Sequence, residues 1–149
     1  MSKTLYIGLD IDGTVISHCY PLMDGEDLGA IPWLLKAQAE YPVVYLLNTM
    51  RDKENLQLAI EWLEKRGVQV GGAAVHPTQG QWTTSPKCHC HIYVEDRAAG
   101  MPLRKDMSLD WNQFGLMFLS SVQAWHNYYN RFGPNATGPV ARRDLETES

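Results

Sequence analysis

Apolar and polar positions fall in blocks along this chain, and the blocks predict alternating strands and helices. Thr4–Leu9 (TLYIGL) is a short apolar run that reads as a buried strand. It ends abruptly in the polar, turn-forming segment Asp10-Ile11-Asp12-Gly13-Thr14. Residues 15–28 contain Pro21 and an Asp24-Gly25 turn signal, which predicts a loop or small hairpin. Pro32 suits a first helical turn, so a helix is expected from about Pro32 to Tyr41, stopped by Pro42. Val43–Leu47 (VVYLL) reads as a second buried strand, followed by Asn48-Thr49-Met50-Arg51.

Asp52 is a candidate N-cap for the next helix. Its Leu56, Ala59, Ile60 and Leu63 recur at helical spacing, and Lys65-Arg66-Gly67 supplies a basic last turn and a terminating glycine. Val68–Val75 predicts a weaker strand, residues 76–87 a polar loop, and His91–Val94 a short strand ending in Glu95-Asp96-Arg97. From Leu109 to Phe132, the positions Trp111, Phe114, Phe118, Val122, Trp125, Tyr129 and Phe132 are spaced for one amphipathic helix, with Ser108 as its N-cap. Gly115–Leu119 would alternatively suit an edge strand. Gly133-Pro134 ends the helix.

The order strand, helix, strand, helix, strand, strand, helix predicts an α/β fold. We expect one Rossmann-like three-layer domain with a mainly parallel central sheet and no large cap domain. It would span residues 1–132, with 133–149 as a frayed tail.

Composition narrows the setting. The chain has 149 residues, 44% hydrophobic and 20% charged, which suits one soluble domain with its own core. Its net charge of −4 argues against a broad basic surface for nucleic acid. No apolar run approaches the roughly 18 residues needed to cross a bilayer. MSKTLYIGLD carries no secretory signal, and three cysteines make a disulfide framework unexpected, so a reducing cytoplasmic setting is the expectation.

The strand ends carry the chemistry. In a parallel sheet, ligands bind beyond the carboxyl ends of the strands. Three expected strands end in polar groups: Asp10 and Asp12, then Thr49, then Glu95 and Asp96. Any one of these is commonly just a cap or turn former; three at matching positions are harder to explain that way. Asp10 and Asp12, two apart, project to one side of an extended segment, and two carboxylates at about 4 Å repel by about 4 kcal/mol at an effective dielectric constant of about 20. Four gathered acids call for a cation, a proton or both, and oxygen-only ligands favour Mg²⁺. Gly13 lets the backbone approach a ligand, Thr14 can bond across the turn, Thr49 precedes a helix N-terminus, and Lys87 supplies positive charge. The set suits a phosphoryl group with Mg²⁺.

These residues resemble the haloacid dehalogenase superfamily. Asp10-Ile11-Asp12-Gly13-Thr14-Val15 resembles its first motif and Leu46-Leu47-Asn48-Thr49 its second. Lys87 resembles the third-motif lysine, and Tyr93-Val94-Glu95-Asp96-Arg97 the acidic fourth motif. The motifs stand in family order over about two-thirds of the chain, in the manner of the small cap-less members. The resemblance implies a Mg²⁺-dependent phosphomonoester phosphatase acting on a small-molecule phosphate ester. Asp10 would be the nucleophile, and Asp12 the general acid and then base. Gly13, Thr14, Thr49, Met50 and Lys87 would surround phosphate. Asp10, Asp12 (through its carbonyl), Asp96 and Glu95 would hold the metal. Glu95 departs from the commoner Asp-Asp pair, and Met50 from a smaller residue, leaving the role of Arg51 open.

Other features have plainer readings. Cys88-His89-Cys90-His91 splits its ligand types onto two sides, which favours packing over zinc binding. His18 and Cys19 lie in the flap, and Trp82 would line an entrance. The aromatic stripe on the last helix suits a core, with length to spare for a homodimer contact. Rivals to the leading reading are a nucleotide or nucleic-acid-end phosphatase, and a non-catalytic Mg²⁺- or phosphate-binding module. A phosphoacceptor receiver domain is disfavoured, because its acceptor Asp lies on a later strand than its acidic pair. The gaps at Val15–Gly29 and Gly71–Pro86 are too short for a cap, so an open site is expected.

Overall fold

The computed structural model describes residues 4–73 and 75–133. Four strands, β1 (Leu5–Leu9), β2 (Val43–Leu47), β3 (Val70–Ala73) and β4 (Ile92–Val94), form a parallel sheet in the order β3-β2-β1-β4. Three α-helices accompany them: α1 (Ile31–Glu40), α2 (Lys53–Glu64) and α3 (Trp111–Phe132). The fold is α/β and Rossmann-like, as the alternation of elements predicts.

The two-residue period of the strands divides the core into two. Leu5, Ile7, Leu9, Tyr45 and Leu47 pack with buried positions of all three helices, including Leu34, Leu63, Trp111 and Phe118. Leu46, Cys88 and Cys90, with Tyr6, Val44 and Tyr93, form a smaller cluster on the other face. Handedness explains the split. The chain steps from β1 to β2 to β3 in one direction, so right-handed crossovers put α1 and α2 on one face. The return from β3 to β4 must cross the opposite face.

Among its described residues that return has no α-helix; the one regular piece there is a 3₁₀ turn, Gln79–Gln81. An irregular segment therefore serves as the third layer, and its backbone groups need partners that a helix would have supplied. The buried Gln79 side chain provides several. Its amide donates to the carbonyls of Ser85 (3.1 Å) and Lys87 (2.5 Å), and its carbonyl accepts from the His89 N–H (2.8 Å). The Tyr93 hydroxyl donates to the Cys88 carbonyl (2.6 Å) and accepts from the Cys90 N–H (3.1 Å). Cys88 and Cys90 are both buried, with their sulfurs 3.8 Å apart, so these cysteines pack as expected. Trp82 is exposed and meets His89 edge-on, while His76 packs on Tyr6.

Several boundaries move. Helix α1 begins at Ile31, one residue before Pro32. Asp110, not Ser108, caps α3: its backbone is extended and its carboxylate accepts from the Asn112 N–H at 3.0 Å. Ser108 is instead buried and its hydroxyl donates to Asp106. Residues 115–119 are helical, and Gly115 lets α3 approach the Trp33 indole, which a Cβ would overlap. Asp52 stands at the N-cap of α2 but its side chain makes no capping bond. The expected tail beyond Gly133 and position 74 of the third strand lie outside the described residues.

The aromatic stripe is spent on the chain's own core: Trp111, Phe114, Phe118, Val122 and Tyr129 are buried, and α3 leaves Leu116 and Met117 exposed. The helix also anchors the loop after β1. The Trp111 indole N–H donates to the Thr14 carbonyl (2.6 Å), and the Leu109 N–H to the Gly13 carbonyl (2.8 Å). Among the described residues, no helix is long and apolar enough to cross a membrane.

Candidate active site at the carboxyl ends of the strands

Ladder hydrogen bonding runs one residue past the strands. The Asp10 N–H donates to the Val94 carbonyl (3.0 Å), and the Asn48 N–H to the Leu9 carbonyl (2.8 Å). Three polar turns therefore leave the sheet from fixed, adjacent points. After β1 the chain turns tightly, with the Thr14 and Val15 N–H groups both on the Ile11 carbonyl. Gly13 makes this turn at φ +80°, and a Cβ there would overlap both Asp96 Oδ2 and His18 Nε2.

Thr14 joins the first and fourth strand ends. Its buried hydroxyl donates to Asp10 Oδ2 (3.1 Å) and accepts from the Asp96 N–H (3.0 Å), with Asp96 Oδ1 at 3.4 Å. Asp10 and Asp96 are thereby held carboxyl to carboxyl, and Asp96 is itself buried. Burial is the main reason that the Asp10 pKa is pushed up to about 7, and the Asp96 charge and hydrogen bond raise it further. Hydrogen bonds from the Ile11 backbone and Thr14 oppose the rise.

Two residues on, Asp12 has the opposite surroundings. Arg51, only 3% exposed, holds both of its oxygens: Nε to Oδ2 at 2.7 Å and Nη2 to Oδ1 at 2.8 Å. The guanidinium also donates to the carbonyls of Pro21 (3.1 Å), Leu22 (2.7 Å) and Asn55 (3.4 Å). One arginine thus ties the segment after β1 to the loop after β2. The Asp12 bond raises the Arg51 pKa further above its ordinary value.

An open cleft of about 680 Å³ lies over these turns. Asp10, Asp12, Glu95 and Asp96 line it from the first and fourth strand ends, and Asn48, Thr49 and Met50 from the second. The Thr49 hydroxyl accepts from the Arg51 N–H (3.1 Å), which leaves its hydrogen to donate into the cleft. The Met50 side chain is 96% exposed and does not crowd the loop. Gly13 and Thr14 lie beneath, buried. Lys87 is the expected site residue that stays apart: it is exposed, is not among the cleft's lining, and its Nζ lies 5.1 Å from the Tyr93 ring centroid.

Sequence reasoning left some participants unassigned. His18 projects from the flap with Nε2 3.5 Å from Asp96 Oδ2, while Tyr20 and Arg97 complete the rim. Arg51 is a cation at the end of β2, next to the acidic end of β1, but its sequence neighbours do not point to Asp12. Cys19 lies half-buried beside it, its thiol on the Leu22 carbonyl (3.1 Å).

Mg²⁺ can be tested against this donor set. Among the described residues, no group of three or more His, Cys, Asp and Glu side chains is arranged to hold a metal ion. Arg51 withdraws the Asp12 carboxylate, so Asp10 and Asp96 remain, with Glu95 on the rim. One or two carboxylates, completed by waters and substrate phosphate, are a common Mg²⁺ arrangement, and the Asp10–Asp96 pair fits it.

No family model matches the chain, and no curated protein matches it. A solved structure is similar, that of a conserved protein coded by a locus from Bacteroides thetaiotaomicron. The two are 26% identical with a TM-score of 0.63, over 85% of this chain and 98% of that one. The likeness agrees with the α/β architecture of the described residues.

Proposed function

We propose that this chain is a Mg²⁺-dependent phosphomonoester phosphatase of the haloacid dehalogenase type, working through an aspartyl-phosphate on Asp10. The observation that supports the reading is the Asp10–Asp96 carboxyl pair bridged by Thr14 at the strand ends, half-buried at Asp10 and buried at Asp96. When bound there, Mg²⁺ would screen the charge between nucleophile and phosphate and polarise the phosphoryl oxygens. Asp10 and Asp96 would hold it, with the Asp12 backbone carbonyl.

The rest falls to the chain's own groups. An Asp10 oxygen attacks phosphorus in line as the bond to the ester oxygen breaks. The leaving oxygen takes a proton from Asp12. Water then attacks the acyl phosphate, gives its proton to Asp12, and frees phosphate and Asp10. Thr14 fixes the unreactive Asp10 oxygen, and the Thr49 hydroxyl donates to phosphate. Arg51 sets the cost of the proton steps, because Asp12 must open one of its two bonds to exchange a proton.

The test is phosphate release from a panel of aryl, sugar and nucleotide phosphates with and without Mg²⁺. Turnover that requires Mg²⁺ and disappears in Asp10→Asn is expected; turnover retained in that variant would overturn the assignment. The Arg51 clamp on Asp12 favours a second reading, a non-catalytic Mg²⁺- and phosphate-binding module. Tight Mg²⁺ binding without turnover on any ester would establish that one.

A further inference from the structure

A second cleft of about 560 Å³ adjoins the first, and the two share His18, Asp96 and Arg97 as lining. Beyond that shared edge its character changes. The walls are Ala98, Met101, Leu103 and Met107, with the Ala99-Gly100 turn at the lip. A volume of this order and a mainly apolar lining beside a few charged groups are the usual marks of a small-molecule site.

The walls are built by their own backbone bonds. The Met101 N–H closes a turn on the Ala98 carbonyl (3.3 Å), and Leu103 bridges Leu109. The Arg104 N–H meets the Ser108 carbonyl (2.8 Å), and the Met107 N–H the Arg104 carbonyl (3.0 Å). Asp110 N–H to Pro102 carbonyl (2.9 Å) and Leu109 N–H to Gly13 carbonyl (2.8 Å) join this segment to α3 and to the turn that carries Asp10 and Asp12. The shape of the second cleft is therefore coupled to the first. Met107 adopts φ +69°, a conformation that side chains rarely take, and remains 63% exposed along the cleft.

We propose that this second cleft is the leaving-group subsite, and that it takes the alcohol part of a phosphomonoester whose body is apolar and ring-sized, such as an aryl group. The inference rests on the phosphatase reading above and deepens it. With phosphate over Asp10 and Thr49, the body of the ester would extend past His18 and Arg97, along the edge the clefts share. Arg97 faces the junction. A sugar or polyol would bury hydroxyls against Met101, Leu103 and Met107 without partners, which disfavours it. An aromatic body loses nothing there and gains contact with the methionines.

The experiment compares kcat/KM for 2-naphthyl phosphate, phenyl phosphate and glycerol 3-phosphate, with Mg²⁺, in the parent, Ala98→Phe and Met107→Gly. The parent should favour the naphthyl over the glycerol ester by about tenfold or more. Ala98→Phe fills the cleft and should reduce that ratio by about tenfold. Met107→Gly removes a wall at a φ that glycine accepts, and should move the ratio the same way without a burden on folding. Equal efficiency on all esters, or variants that slow every ester alike, would overturn the subsite and leave the phosphatase reading standing. If the parent turns over no ester, the phosphatase reading fails, and binding judges the cleft by itself. Methyl NMR of the full chain with 2-naphthyl phosphate should then shift Met101, Leu103 and Met107, and unmoved methyls there would overturn the subsite.

Discussion

Asp10 and Asp12 stand two residues apart on one turn, yet their halves of the cleft are opposites. On the Asp12 side, every charge is answered: a buried guanidinium holds both carboxylate oxygens, and its other N–H groups find carbonyls. On the Asp10 side, an acid faces an acid across a threonine hydroxyl, and burial with mutual repulsion raises Asp10 to about 7. The first half is internally complete, and Arg51 makes it a rivet between two loops. The second is complete only with a proton or a cation. A carboxyl pKa raised in this way, in a cleft, is a common mark of a functional site.

The widest separation between the halves should appear in turnover. Asp10→Asn keeps the size of the side chain but removes the proposed nucleophile, so Mg²⁺-dependent phosphate release should fall by about 10³-fold or more. Circular dichroism and thermal melts should show the fold intact. A matching fall from Asp12→Asn with no loss from Asp10→Asn would reverse the roles assigned to the two halves.

Stability should separate them next, in the opposite sense. Arg51→Met leaves the Asp12 carboxylate without its partner and cuts the bonds to Pro21 and Leu22, so urea denaturation should show a loss of about 3 kcal/mol. Arg51→Lys keeps the charge but not the paired geometry and should recover only part of it. The double variant Arg51→Met/Asp12→Asn should be more stable than Arg51→Met alone, because the stranded charge is gone. A loss below about 0.5 kcal/mol in Arg51→Met would show that the clamp is a surface pair of little consequence.

How much of this contrast was legible in the sequence depends on whether it was written in pattern or in partnership. The sheet, the three helices and the strand-end positions of Asp10, Thr49 and Asp96 follow from apolar runs that stop at polar turns. The clamp did not follow, since nothing within the chain order of Arg51 points to Asp12, 39 residues away. Lys87 stands apart for a related reason: its place before β4 follows from chain order, but its amine lies over Tyr93 and outside the cleft's lining. The cap of α3 was missed because Ser108 and Asp110 are both good capping types. Burial against Asp106 removes the first, and only the second has extended backbone at the helix start.

The pH dependence of stability should sharpen the Asp10 half. Asp10 has an ordinary pKa of 3.8 and one of about 7 in the fold. Below pH 4 it is neutral folded or unfolded. Between about pH 4 and 7 the unfolded chain loses the proton first, so metal-free stability falls as pH rises, and the loss is complete above the folded value. Asp10→Asn abolishes this term, so in EDTA the variant should be the more stable form at pH 8 and match the parent near pH 4. Saturating Mg²⁺ at pH 8 should stabilise the parent and leave the variant nearly unmoved. A parent whose EDTA melts are flat between pH 4 and 8 would remove the uncompensated charge from this half.

The smallest effect belongs to Met50, which lines the cleft between the halves yet is 96% exposed. Its side chain touches neither the clamp nor the acid pair, so Met50→Ala should change urea stability by less than about 0.5 kcal/mol. KM for a small ester such as glycerol 3-phosphate should also stay within about twofold, because a solvent-facing side chain adds little contact to a phosphate held from below. A rise of about tenfold would mean that Met50 folds down over bound phosphate, and that the open cleft closes from the β2 side when it is occupied.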